Sequence, residues 1–220
     1  MTPSIVNTRM SKSKSSHEWH KAHERDEFVR RARAEGYRSR ASYKLLEMAD
    51  KHGLIKPGMT VVDLGAAPGG WSQVAAARVG KQGRVIAVDV LPMDPVPGVT
   101  FIQGDFLEDS TLQRLLDEIG TSEVDLVISD MAPNLSGMKA IDQPRATLLV
   151  ELAIELVERV LRKKGAFVAK CFEGEGIDEI RTMVRERFDK VLNFKPISSR
   201  DKSREIYIIG REYRYRPQEH

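Results

Sequence analysis

Cysteine, aromatic residues and long hydrophobic runs are scarce in this chain. The single cysteine, Cys171, excludes an intrachain disulfide and any multi-cysteine zinc site, which fits a reducing compartment. No uninterrupted apolar run approaches the roughly 20 residues that a membrane-spanning helix needs, and the N-terminal segment lacks the apolar centre of a secretory signal. We therefore expect a cytoplasmic protein that has no membrane partner.

The overall composition is that of a globular protein. Hydrophobic residues make up 41% and charged residues 30% of the 220 residues, which is enough for one sizeable α/β domain. The net charge of +3 hides an asymmetry, because residues 1–44 carry eleven lysines and arginines against five acidic residues. This basic arm favours a polyanionic partner such as nucleic acid, although a solvated tail carries such charge almost as often.

The pattern of apolar residues predicts a basic, disordered tail over residues 1–25, one domain over 26–210 and a C-terminal tail over 211–220. Strands alternate with helices, which is typical of a mostly parallel sheet covered on both faces. The last two strands have no helix between them, so we expect them to pair antiparallel. The predicted strands are 59–64, 84–90, 99–103, 124–130, 165–172, 190–196 and 204–210. The predicted helices are 26–34, 41–52, 70–80, 110–119, 143–163 and 177–188, with Gly36 and Gly53 as stops and with Leu148, Leu149, Leu152, Leu156 and Val160 on one face of the fifth.

A glycine-rich turn follows the first strand in VVDLGAAPGGWSQ (61–73). A strand, a glycine turn and a helix start bring backbone N–H groups close to a ligand. The turn is neither the dinucleotide fingerprint nor a P-loop, so it favours a nucleotide-like ligand without a pyrophosphate. Asp89 at the end of the second strand is placed to accept the hydroxyls of a ribose, and Asp105 follows the third strand. Either aspartate could instead cap a turn, and Trp71 could be a core anchor or a wall beside the ligand.

A lysine stands near the end of an apolar run in GAFVAKCFEGEG (165–176). Burying an ammonium costs several kcal/mol unless it is paired, so Lys170 either reaches the surface or serves chemistry. Asp130 ends the preceding strand, and Glu205 begins a final strand that runs the other way. The three side chains should therefore converge at one edge of the sheet, either as a structural ion pair or as a site that handles a hydroxyl proton.

These motifs together resemble the FtsJ/RrmJ family of ribosomal RNA 2'-O-ribose methyltransferases. The residues that carry the resemblance are DLGAAPGGWSQ, DVLPMDP, QGDF, SDMAPNLSG, FVAKCFEGEG and SSRDKSREIYI, and the similarity runs from about Tyr37 to Gly210. The resemblance implies the class I S-adenosylmethionine-dependent methyltransferase fold, which is Rossmann-like, with a seven-stranded mostly parallel sheet, helices on both faces and an antiparallel last strand.

The resemblance also implies a set of site residues. A catalytic tetrad falls on Lys44, Asp130, Lys170 and Glu205, with Lys170 as the proton acceptor. The cofactor is S-adenosylmethionine, no metal is expected, and the cofactor contacts fall on Gly65, Gly69, Trp71, Asp89, Asp105 and Asp130. The bacterial heat-shock type of the family methylates a uridine ribose in 23S ribosomal RNA of the large subunit and assists ribosome maturation.

The expected partner is therefore 23S rRNA within the large subunit or its precursor, bound by a monomer. The N-terminal arm and the Lys195–Arg204 segment are the predicted RNA contacts, through Arg30, Arg31, Arg33, Arg38, Arg40, Lys195, Arg200, Lys202 and Arg204. A solvated basic face is the alternative for any one of these cations. Three rival functions stay open: a family member acting on transfer RNA, a non-catalytic RNA-binding assembly factor, and, less favoured, an NAD-dependent oxidoreductase.

Overall fold

The structure is a computed structural model that describes residues 26–133, 136–200 and 203–214. Its helices are α1 (Glu27–Glu35), α2 (Ala41–His52), α3 (Gly70–Val79), α4 (Asp109–Ile119), α5 (Lys139–Val160) and α6 (Ile177–Arg187), with a 3₁₀ turn at Gly80–Gln82. Its strands are β1 (Thr60–Leu64), β2 (Arg84–Asp89), β3 (Val99–Gln103), β4 (Val124–Ser129), β5 (Leu161–Phe172), β6 (Phe188–Phe194) and β7 (Glu205–Tyr213). The predicted N-terminal tail 1–25 and residues 215–220 of the predicted C-terminal tail 211–220 lie outside the described residues. Residues 211–213 of that predicted tail instead belong to β7, because the last strand continues past Gly210.

The seven strands form one sheet in the order β3-β2-β1-β4-β5-β7-β6. Neighbouring strands among β1 to β5 pair in parallel, whereas β7 pairs antiparallel with both β5 and β6. This confirms the predicted mostly parallel sheet with an antiparallel last strand. Because β7 runs against its neighbours, it begins at the same edge of the sheet at which the parallel strands end.

Two apolar layers cover the two faces of the sheet. One contains side chains of α2 and α3, including Leu45 and Trp71, and the other contains side chains of α4, α5 and α6, including Leu115 and Ile180. The parallel strands are buried from both sides, which explains why β1, β2 and β4 are mostly apolar, with Asp63 and Asp125 as interruptions in β1 and β4.

The N-terminal helices begin and end where the sequence predicts. Asp26 caps α1, since its Oδ1 accepts a hydrogen bond from Phe28 N at 3.0 Å. Gly36 and Gly53 end α1 and α2 in the left-handed conformation, with φ of 79° and 59°. Both predicted stops are therefore confirmed.

Several boundaries differ from the prediction in the C-terminal half, among them the end of α5 at Val160 instead of residue 163 and the span of β6, which lies two residues before the predicted 190–196. Helix α5 and strand β5 each begin four residues before the expected start, and β7 continues to Tyr213 instead of ending at Gly210. The predicted apolar face of α5 was also wrong in part, because Leu148 is 46% exposed. The buried face is formed by Val150, Ala153, Ile154, Leu156 and Val157.

Candidate active site

The glycine loop, residues 65–70, joins β1 to α3 and is tied to the end of β2. The N–H groups of Gly65 and Ala66 donate to Val88 O at 2.9 and 3.2 Å. Gly65 has φ of +76°, and a Cβ there would come within 2.9 Å of the backbone of Met131. This position therefore needs a glycine for both its backbone conformation and the close approach of the loop after β4.

Asp89 holds the same loop from the end of β2. Its Oδ2 accepts a hydrogen bond from Ala67 N and its Oδ1 accepts one from Leu91 N, both at 2.8 Å. Asp105 makes a similar turn after β3, where its Oδ1 accepts from Leu107 N at 3.0 Å. The turn-capping role weighed for both aspartates is thus present, and it fixes each carboxylate at the rim of a cavity.

That cavity, here called the strand-end cavity, lies outside the carboxyl ends of β1, β2 and β4 and has a volume of about 310 Å³. Its polar lining comes from Asp89, Asp105 and Asp130, whose carboxylates make it negative. Its remaining lining residues are Gly65, Ala67, Val88, Val90, Leu91, Gly104, Phe106, Met131, Ala132 and Leu149. The cavity therefore combines apolar lining with acidic groups, which suits a ligand that carries both a positive charge and an apolar part.

Two predicted cofactor contacts, Gly69 and Trp71, do not line this cavity. Gly69 begins α3 with φ of +106°, and a Cβ there would approach Nη1 of Arg38 within 2.9 Å. Trp71 is buried, and its Nε1 donates to Ala41 O at 2.8 Å while its ring packs 5.6 Å from that of Tyr207. This placement favours the role of a core anchor for Trp71 over that of a ligand wall.

The four tetrad residues form two ion pairs at the same edge of the sheet. Lys170 Nζ lies 3.1 Å from Asp130 Oδ1 and donates a hydrogen bond to Asp130 O at 2.5 Å. Lys44 Nζ lies 2.6 Å from Glu205 Oε1. The four side chains are between 9% and 19% exposed, so each charge is largely removed from water and matched by an opposite one.

Tyr207 joins the two pairs and was missed by the sequence analysis. It faces Lys170 across the β5–β7 ladder, its hydroxyl donates to Asp130 Oδ1 at 2.8 Å, and Lys44 Nζ lies 5.8 Å from its ring centre. Burial, and then the negative charges of Asp130 and Glu205, raise the pKa of this phenol well above its usual value, so it stays a donor. Tyr207 lies two residues after Glu205, so both side chains project from the same face of the strand. This spacing is the signal from which the sequence could have selected Tyr207.

Asp63, on β1 directly before the glycine loop, is a second residue that the sequence analysis did not select. Its side chain is fully buried, its Oδ2 accepts a hydrogen bond from Ser72 Oγ at 2.6 Å, and its Oδ1 has no partner among the described residues. Burial is the main cause that raises the pKa of this carboxyl to about 7. The nearby charges of Asp130 and Asp89 act in the same direction.

Two arginines predicted to contact RNA make several bonds within the protein. Arg38 donates to the carbonyl groups of Pro68, Asp94 and Pro95 at 3.2, 2.6 and 2.7 Å, so it ties the glycine loop to the segment after β2. Arg40 pairs with Asp26 and donates to Ser198 O. These bonds to protein carbonyls and a carboxylate hold both guanidinium groups in place, and contact of either arginine with RNA stays a prediction.

Other predicted RNA contacts have mixed surroundings. Arg30 and Arg33 are exposed, Arg31 pairs with Glu35, and Lys195 Nζ donates to Ser203 O at 2.7 Å. Arg200 is half exposed and lies 3.8 Å from Asp26, and Arg204 donates to Glu173 O. Lys202 lies outside the described residues.

Within residues 26–133, 136–200 and 203–214, no group of three or more His, Cys, Asp or Glu side chains is arranged to hold a metal ion. No helix in these described ranges is both long and apolar enough to cross a membrane.

A Rossmann-like sheet with a glycine loop, strand-end acids and a Lys-Asp-Lys-Glu cluster defines the class of S-adenosylmethionine-type methyltransferase folds. The comparisons with known proteins agree with this class. The family model described as FtsJ-like methyltransferase matches residues 37–213, and the chain belongs to this family.

Similar proteins cover almost the whole chain. It is 60% identical over 207 residues to a ribosomal RNA large subunit methyltransferase E of Pseudomonas fluorescens, which covers 94% of this chain and 99% of the relative. It is 58% identical over 205 residues to the protein of that name from Pseudomonas aeruginosa, which covers 93% of this chain and 99% of the relative. A crystal structure of a ribosomal RNA methyltransferase from Plasmodium falciparum has a TM-score of 0.73 at 30% identity, over 82% of this chain and 100% of that one.

Proposed function

We propose that this protein transfers a methyl group from S-adenosylmethionine to the 2'-hydroxyl of a uridine ribose in 23S ribosomal RNA of the large subunit. It would act in the cytoplasm as a monomer and assist ribosome maturation. The observation that carries the proposal is that Asp130 belongs to two neighbouring features at once. This residue lines the strand-end cavity and also holds Lys170, so it connects a ligand pocket with a basic side chain.

The strand-end cavity fits S-adenosylmethionine on its own chemistry. When bound, the cofactor supplies a methyl group activated by a positively charged sulfonium. Asp89 would accept the ribose hydroxyls, and the apolar lining around Val90 and Phe106 would hold the base. Asp105 stands at the same rim, and Asp130, which lines the cavity and pairs with Lys170, would face the cationic end of the ligand.

The tetrad orients the acceptor hydroxyl and takes up its proton. A ribose hydroxyl is a poor nucleophile, so catalysis consists mainly of holding its oxygen in line with the methyl carbon, which supplies several kcal/mol. Lys170 accepts the hydroxyl proton as a neutral amine and becomes an ammonium, and the carboxylate and carbonyl oxygen of Asp130 hold its Nζ in place. Lys44 supplies positive charge near the developing oxyanion, and Glu205 holds Lys44.

The RNA contact surface follows from the exposed cations. Arg30 and Arg33 on α1 lie on the N-terminal side, and Arg200 and Arg204 flank the start of β7, where Glu205 stands. Such cations bind phosphates and set affinity rather than sequence choice, so binding should weaken steeply as salt is raised. The N-terminal arm 1–25 carries further positive charge.

The proposal is tested with large subunits isolated from a strain that lacks this activity. The purified protein should transfer a labelled methyl group to a single 2'-hydroxyl of the 23S rRNA, and mapping of the modified nucleotide identifies it. Lys170→Ala should abolish transfer while calorimetry finds cofactor affinity near normal. Lys190→Ala is the matched control, since that lysine is 62% exposed and pairs with Glu212 far from the tetrad along the sheet.

Other outcomes would assign a different function to the protein or a different role to Lys170. Methylation of transfer RNA but not of large subunits would make the protein a transfer RNA enzyme. Tight RNA binding without any methyl transfer by the wild-type protein would make it an assembly factor. A Lys170→Ala variant that keeps most of its turnover would remove Lys170 from the proton-accepting role.

A further inference from the structure

The serine loop, residues 196–200, lies between β6 and β7 and packs against the N-terminal helix pair. Glu47, on α2, accepts hydrogen bonds from two successive N–H groups of this loop. Its Oε2 lies 2.7 Å from Ile197 N, and its Oε1 lies 3.0 Å from Ser198 N. A carboxylate that accepts two backbone donors is a strong, directional contact, because both bonds are charge-assisted.

The loop in turn reaches the tetrad. Ser199 Oγ donates to Glu205 Oε1 at 3.0 Å, and the same oxygen faces Lys44 Nζ at 2.6 Å. Ser199 is buried and its N–H donates to Pro196 O at 3.0 Å, so the hydroxyl is held in direction by the turn that carries it. Glu205 thus receives a neutral donor from one side and a cation from the other.

These contacts close a ring. Lys44 and Glu47 lie three residues apart on α2, so they are neighbours on one helix face. From Lys44 the contacts run to Glu205 and then to Ser199 in the loop. From the loop backbone they return to Glu47 on the same helix as Lys44. Arg40 adds a second tie from the same side, since it donates to Ser198 O.

We propose that Glu47 is a positioning residue for methyl transfer, which acts through the serine loop and Ser199 to set the geometry of the Glu205–Lys44 pair. This inference rests on the proposed function. Glu47 lies outside the strand-end cavity, so it has no part in holding the cofactor. Its loss should release the loop, turn Ser199 Oγ away from Glu205 and leave Lys44 free to swing out of line.

The test measures single-turnover methyl transfer at saturating cofactor for the wild type, Glu47→Ala, Ser199→Ala and the double variant. Each single variant should lower the rate about 10- to 100-fold, which is typical of a misplacement of about 1 Å in a catalytic group. Cofactor affinity should stay within about twofold, because the cavity is untouched. The double variant should be no slower than the slower single variant, since both remove the same link.

Asp50→Ala is the matched control. Asp50 lies on the same helix, one turn beyond Glu47, but its carboxylate is exposed and pairs with Arg78. This variant should keep its rate. If Glu47→Ala fails to fold, Glu47→Gln replaces it, since the amide keeps the shape and only one of the two acceptors.

Amide hydrogen exchange gives a readout that does not depend on activity. The N–H groups of Ile197 and Ser198 should exchange faster in the Glu47 variants than in the wild type, and equally fast in Asp50→Ala and the wild type. An unchanged rate in Glu47→Ala, or losses that multiply in the double variant, would overturn the inference. If wild-type protein transfers no methyl group while exchange at these amides follows Glu47, the proposed function fails and the loop geometry stands.

Discussion

Replacing Asp63 by asparagine should change how stability depends on pH. The carboxyl is fully buried beneath the glycine loop, one oxygen has no partner among the described residues, and burial raises its pKa from 3.8 to about 7. The folded protein therefore binds this proton more tightly than the unfolded chain. The stabilisation is fully present below about pH 4 and is lost as the pH rises through 7.

The size of the effect follows from the two pKa values. A difference of one pKa unit corresponds to 1.36 kcal/mol, so the shift from 3.8 to about 7 amounts to ~4 kcal/mol over the whole range. Most of the measurable part falls between pH 5 and 7, where the wild type should lose about 2 kcal/mol relative to Asp63→Asn. Ser72 Oγ can still donate to the amide oxygen of the asparagine, so the variant keeps the one hydrogen bond present.

Urea unfolding of both proteins at several pH values between 5 and 8 measures this difference. The free energy of unfolding of the wild type minus that of Asp63→Asn should fall steadily to pH 7 and level off above it. Asp178→Asn, on an exposed position of α6, controls for the chemistry of the substitution. A difference between wild type and Asp63→Asn that stays constant over this range would refute the reasoning.

Three further changes separate cofactor binding from chemistry. Asp89→Ala should weaken cofactor binding in calorimetry by about 2–3 kcal/mol, since it removes a charged acceptor and loosens the glycine loop, and unchanged affinity would count against the ribose role. Gly65→Ala should also weaken it, by about 1–3 kcal/mol, because the new methyl group meets the Met131 backbone at 2.9 Å; normal binding would mean that the loop yields easily. Tyr207→Phe should lower kcat about tenfold at constant cofactor affinity, since Asp130 loses a 2.8 Å donor, and an equal rate would show that the phenol only fills space.

Much of the fold is readable from the sequence because buried parallel strands are mostly apolar runs bounded by turn residues. Where no turn residue separates two elements, the predicted boundary between them is wrong. Helix α5 passes directly into β5 at Leu161 without a glycine or proline between them, so the expected boundary fell at Gly165. The apolar residues of α5 also lie on more than one side of the helix, so the sequence did not decide which side is buried.

Some residues of the candidate site could likewise be predicted from the sequence and others could not. Asp89, Asp105, Asp130 and Lys170 follow or close strands, so the rule that parallel strands end at one edge brings them together. Tyr207 depends on the register between β5 and β7, and Ser199 depends on the path of a loop that returns to α2. The spacing of Tyr207 from Glu205 places both side chains on one face of β7, but it does not show that Tyr207 lies opposite Lys170, and nothing in the sequence shows the path of the loop.

The strand-end cavity and the Lys44–Glu205 pair differ in how far apart their residues lie along the chain. Apart from Leu149, the strand-end cavity is built from the contiguous stretch 65–132, whereas the ion pair of Lys44 and Glu205 joins the second helix to the last strand. Contacts between distant segments carry the larger loop-closure entropy, so the ion pair costs more entropy to form than the pocket does. A fluctuation that lifts β7 from β5 would separate Glu205 and Tyr207 from Lys170 and leave the pocket in place.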